Sequence, residues 1–313
     1  MFNLGNFQKE SKTLYDKYSR FLENCHVTIG DGWFPVVDAL CQKIENAYQA
    51  LPLEEKTDAA LNGAYKGCQI KEKFGGLRFY VDGETPEITR WIAEAEEACW
   101  KICENCGSPG NRDNSSHWIM VLCKGCSLQR KISKWRTAKD IDLQLLKDNH
   151  VRLYYFGLGF IQLKVDEVFR LHFYSPKLPP ITEDIHNHRY DFYSRILKGS
   201  ITSSQYSIAN GSDFILSNES CNPEIEAPAE RRFCNAALAS QRTNVAGEAY
   251  RITHDEFHKV VAENCITLLS RSDYKKEFAQ VVIKASDEPS VCPFSKQIPE
   301  KALWEIIEEM LDE

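Results

Sequence analysis

Four cysteines and three histidines carry the chemistry that can be read directly from this sequence. Cys103 and Cys106 form one CxxC pair, and Cys123 and Cys126 form a second, with sixteen residues between them. A CxxC turn presents two thiolates to one side, and two such turns facing each other complete a tetrahedron around one zinc ion. Four thiolates close the coordination sphere, so the expected zinc is structural, with no open position for water or substrate. His117 lies between the pairs as a substitute ligand that the cysteines make unnecessary. The second constellation is His186-Asn187-His188 with a distal histidine, for which His258 is the first candidate and His254 its rival. Residues i and i+2 of a strand share a face, so both imidazoles can reach one ion with bonds of about 2.0 to 2.1 Å. Three neutral imidazoles on Fe(II) leave room for a bidentate substrate and dioxygen together, although the same donors suit Zn, Ni and Cu. Holding both reactants on one ion makes their encounter intramolecular. Arg170, Arg195, Arg251 and Arg271 fall on neighbouring predicted strands, where a planar guanidinium fork could hold a carboxylate or phosphate. Asp191 is a candidate fourth ligand; His150 and His172 read as structural.

The elements that must position these residues change character midway along the chain. Before Trp135 the apolar spacing is helical. Val36, Val37, Leu40, Cys41, Ile44, Ala47 and Tyr48 mark a buried amphipathic helix that ends near Leu51-Pro52. Gly75-Gly76 and the alternation that follows predict a hairpin turn into a strand. Thr85 as N-cap and Pro86 at the first helical position start a helix that delivers the chain to Cys103. From about His150 the period becomes two, in short runs over 151–165, 168–174, 192–201, 214–217, 249–253, 265–270 and 279–284, which predicts an antiparallel sandwich or barrel. Residues 218–247 hold few β-formers and are expected to be a long excursion between strands. A last amphipathic helix over Glu300 to Asp312 places Leu303, Ile306, Ile307 and Met310 on one side.

The chain has 313 residues, 43% hydrophobic and 27% charged, long enough for two packed cores. Its net charge of -7 argues against a surface built as a whole to neutralise phosphates, so nucleic acid is not the expected partner. The basic stretch Lys124 to Lys139 reads as a solvated helix face beside the zinc site. No signal-peptide pattern and no run of about 18 apolar residues is present, so a reducing, cytoplasmic setting without membrane contact is expected. The other eight cysteines, Cys25, Cys41, Cys68, Cys99, Cys221, Cys234, Cys265 and Cys292, then read as buried small hydrophobes.

Gly32-Trp33, the string Ile70 to Tyr80 and the two CxxC pairs resemble an uncharacterised zinc-ribbon-like module that recurs in bacteriophage and prophage proteins, which implies a phage or bacterial origin and no function. His186-Asn187-His188, the following run to Lys198-Gly199 and the distal His258 resemble the two cupin motifs, nearest to the thiol dioxygenases related to cysteine dioxygenase. The glutamate that many cupins place after HxH is absent from Arg189-Tyr190-Asp191-Phe192-Tyr193, which fits the three-histidine pattern of that group. The resemblance implies that Tyr274 matches a family tyrosine, with an arginine such as Arg195 positioning substrate. The expected architecture is α+β: a helical, zinc-ribbon-like domain over 1–140, a double-stranded β-helix (cupin) barrel over 146–290, and a C-terminal helix over 296–313. The expected function is a non-haem iron oxygenase or dioxygenase acting on a small polar molecule. The alternative is a non-catalytic, phage-encoded protein that sequesters a ligand or inhibits a host protein, with the zinc module as its protein-binding surface. Self-association is open in either case.

Overall fold

The computed structural model describes residues 12–115, 117–156, 159–178, 184–219, 231–286 and 298–312. Cys221 and Cys292 lie outside them. The chain divides into two compact units, one up to Lys131 and one from Ile132.

In the first unit a three-stranded sheet is assembled in the order β1 (His26–Thr28), β2 (Lys66–Lys73), β3 (Gly76–Asp82), with β1 parallel to β2 and β2 antiparallel to β3. The helix Phe34–Ala50 turns Val37, Leu40, Cys41 and Ile44 inward, the i, i+3, i+4, i+7 stripe that its sequence predicts. The helix Pro86–Cys99 buries Ile88, Ile92, Ala95 and Cys99. Its N-cap is made as expected: Thr85 Oγ1 accepts from Ile88 N at 3.2 Å. Phe21 and Phe79 stack at 6.1 Å in the centre, beside fully buried Trp33 and Ile44. Truncating such a side chain to alanine typically costs about 3 to 5 kcal/mol. The β2–β3 loop is two residues long, Phe74 at φ 56° and Gly75 at φ 77°. That is the left-handed pair a tight hairpin demands. Glycine adopts it without strain, whereas a residue bearing Cβ loses about 1 to 2 kcal/mol there. A two-stranded ribbon, β4 (Asn111–Asp113) with β5 (Met120–Leu122), leads into the helix Lys124–Ile132. Arg130 in that helix is buried, 6% exposed, and bridges to Asp113 and the Trp118 carbonyl, which corrects the expectation of a wholly solvated basic face.

The second unit opens with the short helix Leu143–Asp148 and the meander β6 (Arg152–Phe156), β7 (Phe160–Lys164), β8 (Phe169–Tyr174). It continues through β9 (Ile185–His186), β10 (Phe192–Glu219), β11 (Arg231–Val245), β12 (Ala249–Ile252), β13 (Phe257–Arg271) and β14 (Ala279–Lys284), and ends with the helix Glu300–Asp312. β10 is 28 residues long and pairs along its length with β12, β13, β11 and β14. The pairings β10–β14, β14–β9, β9–β13 and β13–β10 close a circuit, so four strands of this antiparallel sheet return on themselves. Gly199, read from sequence as a strand end, instead sits at φ 71° within β10, opposite Asn264. A Cβ there would stand 2.3 Å from the Asn264 carbonyl oxygen, which makes this a glycine-requiring bulge. Of the expected excursion 218–247, residues 231–245 are a strand paired with β10. Its sequence has little β-preference and both of its faces are largely exposed; the ladder to β10 fixes it, which propensity alone does not anticipate. The C-terminal helix buries Leu303, Ile307 and Met310, and Lys147 and Lys177 pair with its Glu308 and Glu309. Among the described residues no helix is long and apolar enough to cross a membrane.

Candidate metal centres

The sulfur atoms of Cys103, Cys106, Cys123 and Cys126 lie within 4.8 Å of one another. Two features of the chain bring them there. In the first turn Gly107 N donates to Cys103 O at 2.9 Å, with Gly107 at φ 77°. The turn also rests on Gly30-Asp31-Gly32-Trp33: Gly32 N donates to Glu104 O at 2.8 Å, and Trp33 Nε1 donates to Ile102 O at 2.8 Å. A Cβ on Gly30 would meet Glu104 O at 2.1 Å and one on Gly32 would meet Cys103 O at 2.0 Å. Gly32-Trp33 is therefore the cradle of the first thiolate pair, a role that its distance of some seventy residues hides in the sequence. In the second turn Cys126 N points at Cys123 Sγ, 3.4 Å away, and Cys106 Sγ lies 3.6 Å from Cys123 Sγ. Hydrogen bonding from the Cys126 thiol lowers the Cys103 thiol below the usual cysteine range, and Cys126 is raised in return. The pair thus shares its proton unequally, and a dication would discharge the thiol protons. His117 is exposed and is not one of this group.

His186, His188 and His258 form the second group, again with ligand atoms within 4.8 Å. Register explains the convergence. His186 and His258 are direct cross-strand partners between β9 and β13, so they share a face, and His188 is two residues further along that face. The intervening Asn187 points the other way. It is 1% exposed, its Oδ1 accepts from Gln280 N at 2.7 Å, and its N donates to Gln280 O at 3.0 Å, pinning the segment to β14. His186 Nδ1 lies 2.9 Å from Asp184 O, an arrangement that makes Nδ1 the donor and leaves the Nε2 lone pair for an ion. The Nε2 atoms of His188 and His258 approach to 2.9 Å. Burial, and then the nearby His186, push both of these imidazoles well below the usual histidine range. They are therefore neutral donors at ordinary pH, and the donor set fits a divalent ion.

Around this group the walls are aromatic and basic. The Phe192 ring stands edge-on to His188 at 4.8 Å and Tyr190 lies at 5.5 Å. Arg170 Nη1 donates to Tyr190 Oη at 2.8 Å, and the Arg170 and Arg271 guanidinium groups lie 5.3 and 5.2 Å from the Tyr190 ring centre. Tyr274 sits one layer out, 6.0 Å from Tyr190, with Arg271 and Arg189 each 4.4 Å over its ring. Arg195 is not brought to the histidines: its Nη1 donates to Trp135 O at 2.9 Å, and its neighbours Phe192 and Ser194 take the opposite face of β10. His254 and Asp191 hold each other at 2.8 Å, and Arg251 pairs with Asp191 at 3.1 Å, so neither the rival histidine nor the candidate fourth ligand joins the group. Sequence reasoning missed Tyr190 and Phe192. Both continue the alternation His186, His188, 190, 192, which was the available signal. His172, expected to be structural, lies on β8 outside the group of three. This imidazole sits in register between buried Gln162 and buried Thr267, and its Nε2 has no hydrogen-bond partner among the described residues. Burial, and then Arg170, lower it to about 3.

No protein-family profile and no curated protein matches the sequence. Among solved structures, ycfD of E. coli is similar at 12% identity and a TM-score of 0.21, over 46% of this chain and 38% of that one. HEPD of Streptomyces albus, solved with its substrate 2-hydroxyethylphosphonate and Fe(II), is similar at 10% identity and a TM-score of 0.26, over 98% of this chain and 53% of that one. The chain thus spans little more than half the length of either structure at most, and likenesses of this depth assign neither fold nor activity; the two groups of ligand atoms stand on their own geometry.

Proposed function

We propose that the second unit is a cupin-type, metal-dependent oxygenase that holds Fe(II) between His186, His188 and His258 and acts on a small polar molecule. The four cysteines hold a structural zinc. The observation that carries this reading is the convergence of three imidazoles, His258 buried and His186 and His188 half-buried, two of them kept neutral by desolvation and the third oriented by Asp184 O. Bound there, iron supplies dioxygen activation with coordination positions to spare for a substrate. The chain supplies the rest. Phe192 and Tyr190 cover His188 and keep water from it. Arg170, with one nitrogen on Tyr190 and a buried Nε lacking a partner among the described residues, offers positive charge to an acidic substrate group. Tyr274 acts as a positioning residue that stacks with Arg271 against Tyr190.

The test is metal content and oxygen uptake of the iron-loaded chain against small thiols, hydroxy acids and phosphonates. Uptake is expected with at least one class, and His258→Ala is expected to lose both iron and uptake while retaining zinc. Iron-loaded protein that consumes no oxygen with any of these classes would overturn the reading, leaving a non-catalytic binding protein whose second ion is structural.

A further inference from the structure

The first unit carries a surface that the oxygenase reading does not use. The β2–β3 hairpin displays Phe74 at its tip, 65% exposed, and Tyr80 on its open face, 45% exposed. The tip abuts the ribbon of the cysteine module: a Cβ on Gly75 would touch Ile119 and Met120, next to Trp118, which is 64% exposed. Along the same face a Cβ on Gly76 would meet both Trp100 and Arg78, and Arg112 lies 5.8 Å over the Trp100 ring. The cations are interleaved with the rings. Lys71 is 5.9 Å from the Tyr80 ring centre and Lys73 is 5.6 Å from that of Phe74. Three of the neighbouring acids are withdrawn from this face, whereas Asp82 is exposed on it two residues beyond Tyr80 and Glu96 pairs with Arg78 at 3.8 Å. Glu72 accepts from Gly75 N at 2.6 Å, Glu104 is 2% exposed, and Asp113 accepts from Ser115 N and Ser127 Oγ beside Arg130. Phe74 also holds a left-handed conformation that glycine would take without strain, and its ring is largely in solvent. A strained residue whose side chain contributes little to the core is a pointer to use.

We propose that this face binds single-stranded nucleic acid, with bases stacking on Phe74, Trp118 and Tyr80 and phosphates meeting Lys71, Lys73 and Arg112. Exposed rings spaced along a cationic strip are the two ingredients of sequence-tolerant single-strand binding. An overall charge of -7 limits the contact to this patch and makes it sensitive to salt. A duplex hides its base faces and leaves the rings without partners.

The test is fluorescence anisotropy of a labelled mixed-sequence oligonucleotide of about 16 nucleotides, long enough for a site of the usual size, titrated with the full, zinc-loaded chain at low salt. Saturable binding of single-stranded RNA or DNA in preference to duplex is expected. Phe74→Leu and Trp118→Ala should each weaken it about tenfold. Lys71→Gln with Lys73→Gln should lower the slope of log affinity against log salt by about 1.4. Should either aromatic variant lose zinc, the unaltered chain still decides, since stacking must quench its tryptophan emission. No binding at low salt, equal affinity for duplex, zinc-loaded variants that bind like the parent chain, or an unquenched emission each overturns the proposal.

Discussion

Asn187 shows how much of the three-histidine group depends on a residue that cannot touch the ion. Both faces of the His186-Asn187-His188 segment are used: the histidines turn inward, and the amide between them is buried on Gln280. Asn187→Ala leaves the Gln280 backbone N–H without its acceptor, at about 1 to 3 kcal/mol. Metal affinity at the histidines should fall by about 10- to 100-fold, as for other residues that orient ligands. Urea denaturation and metal titration of the variant measure the two effects; unchanged affinity would show that β9 holds its place without the clamp. His172 gives a prediction in pH. Its ordinary value is 6.5, and burial next to Arg170 lowers it to about 3 in the folded chain. Between these values the unfolded chain binds a proton that the folded chain refuses. The stability linked to His172 is therefore complete above about pH 6.5 and declines toward pH 3, by at most about 1.4 kcal/mol per pH unit. Urea midpoints at pH 7 and pH 5 should separate more for the parent chain than for His172→Gln, and equal separations would contradict the assignment.

At the scale of elements, both ligand groups are made by pieces distant in sequence. The cysteine turn is shaped by Gly30 to Trp33, whose glycines leave no room for a Cβ against the Cys103–Glu104 backbone. Gly32→Ala should therefore release zinc to a chelator faster and leave the bound fraction below one equivalent, with the histidine group unaffected; full zinc retention would mean that the turn relaxes freely. The histidine group is set by register, and a one-residue slip of β9 against β13 would turn His186 outward. The individual elements were legible in the sequence where a local rule applied: the Thr85 cap, the 34–50 stripe and the C-terminal helix all follow from spacing and capping chemistry. The strand over 231–245 was not, because few of its residues favour strands and the neighbouring β10 ladder makes it extended.

At the scale of the whole molecule, the division near Lys131 places the cysteine cluster in one unit and the histidine cluster in the other. Each unit has its own packed core, so each metal should stabilise its own part. Calorimetry of the metal-loaded chain should show two transitions, with Cys103→Ser lowering only one and His186→Ala only the other. A single transition shifted by both substitutions would show that the units unfold together.

The sequence by itself determined which side chains could bind metal, because ligand chemistry is local: CxxC spacing pairs thiolates, and i, i+2 spacing on a strand pairs imidazoles. It also determined the switch from helical to alternating periodicity. Only the tertiary structure decided that His258, and not His254, meets the pair, since Asp191 holds His254 aside while cross-strand register places His258 opposite His186. It likewise decided that Arg170, Tyr190 and Phe192 surround the histidines and that Arg195 does not. The physical reason is common to these outcomes: which partner a side chain meets depends on strand pairing between segments far apart in the chain, and periodicity within a segment carries no information about that pairing.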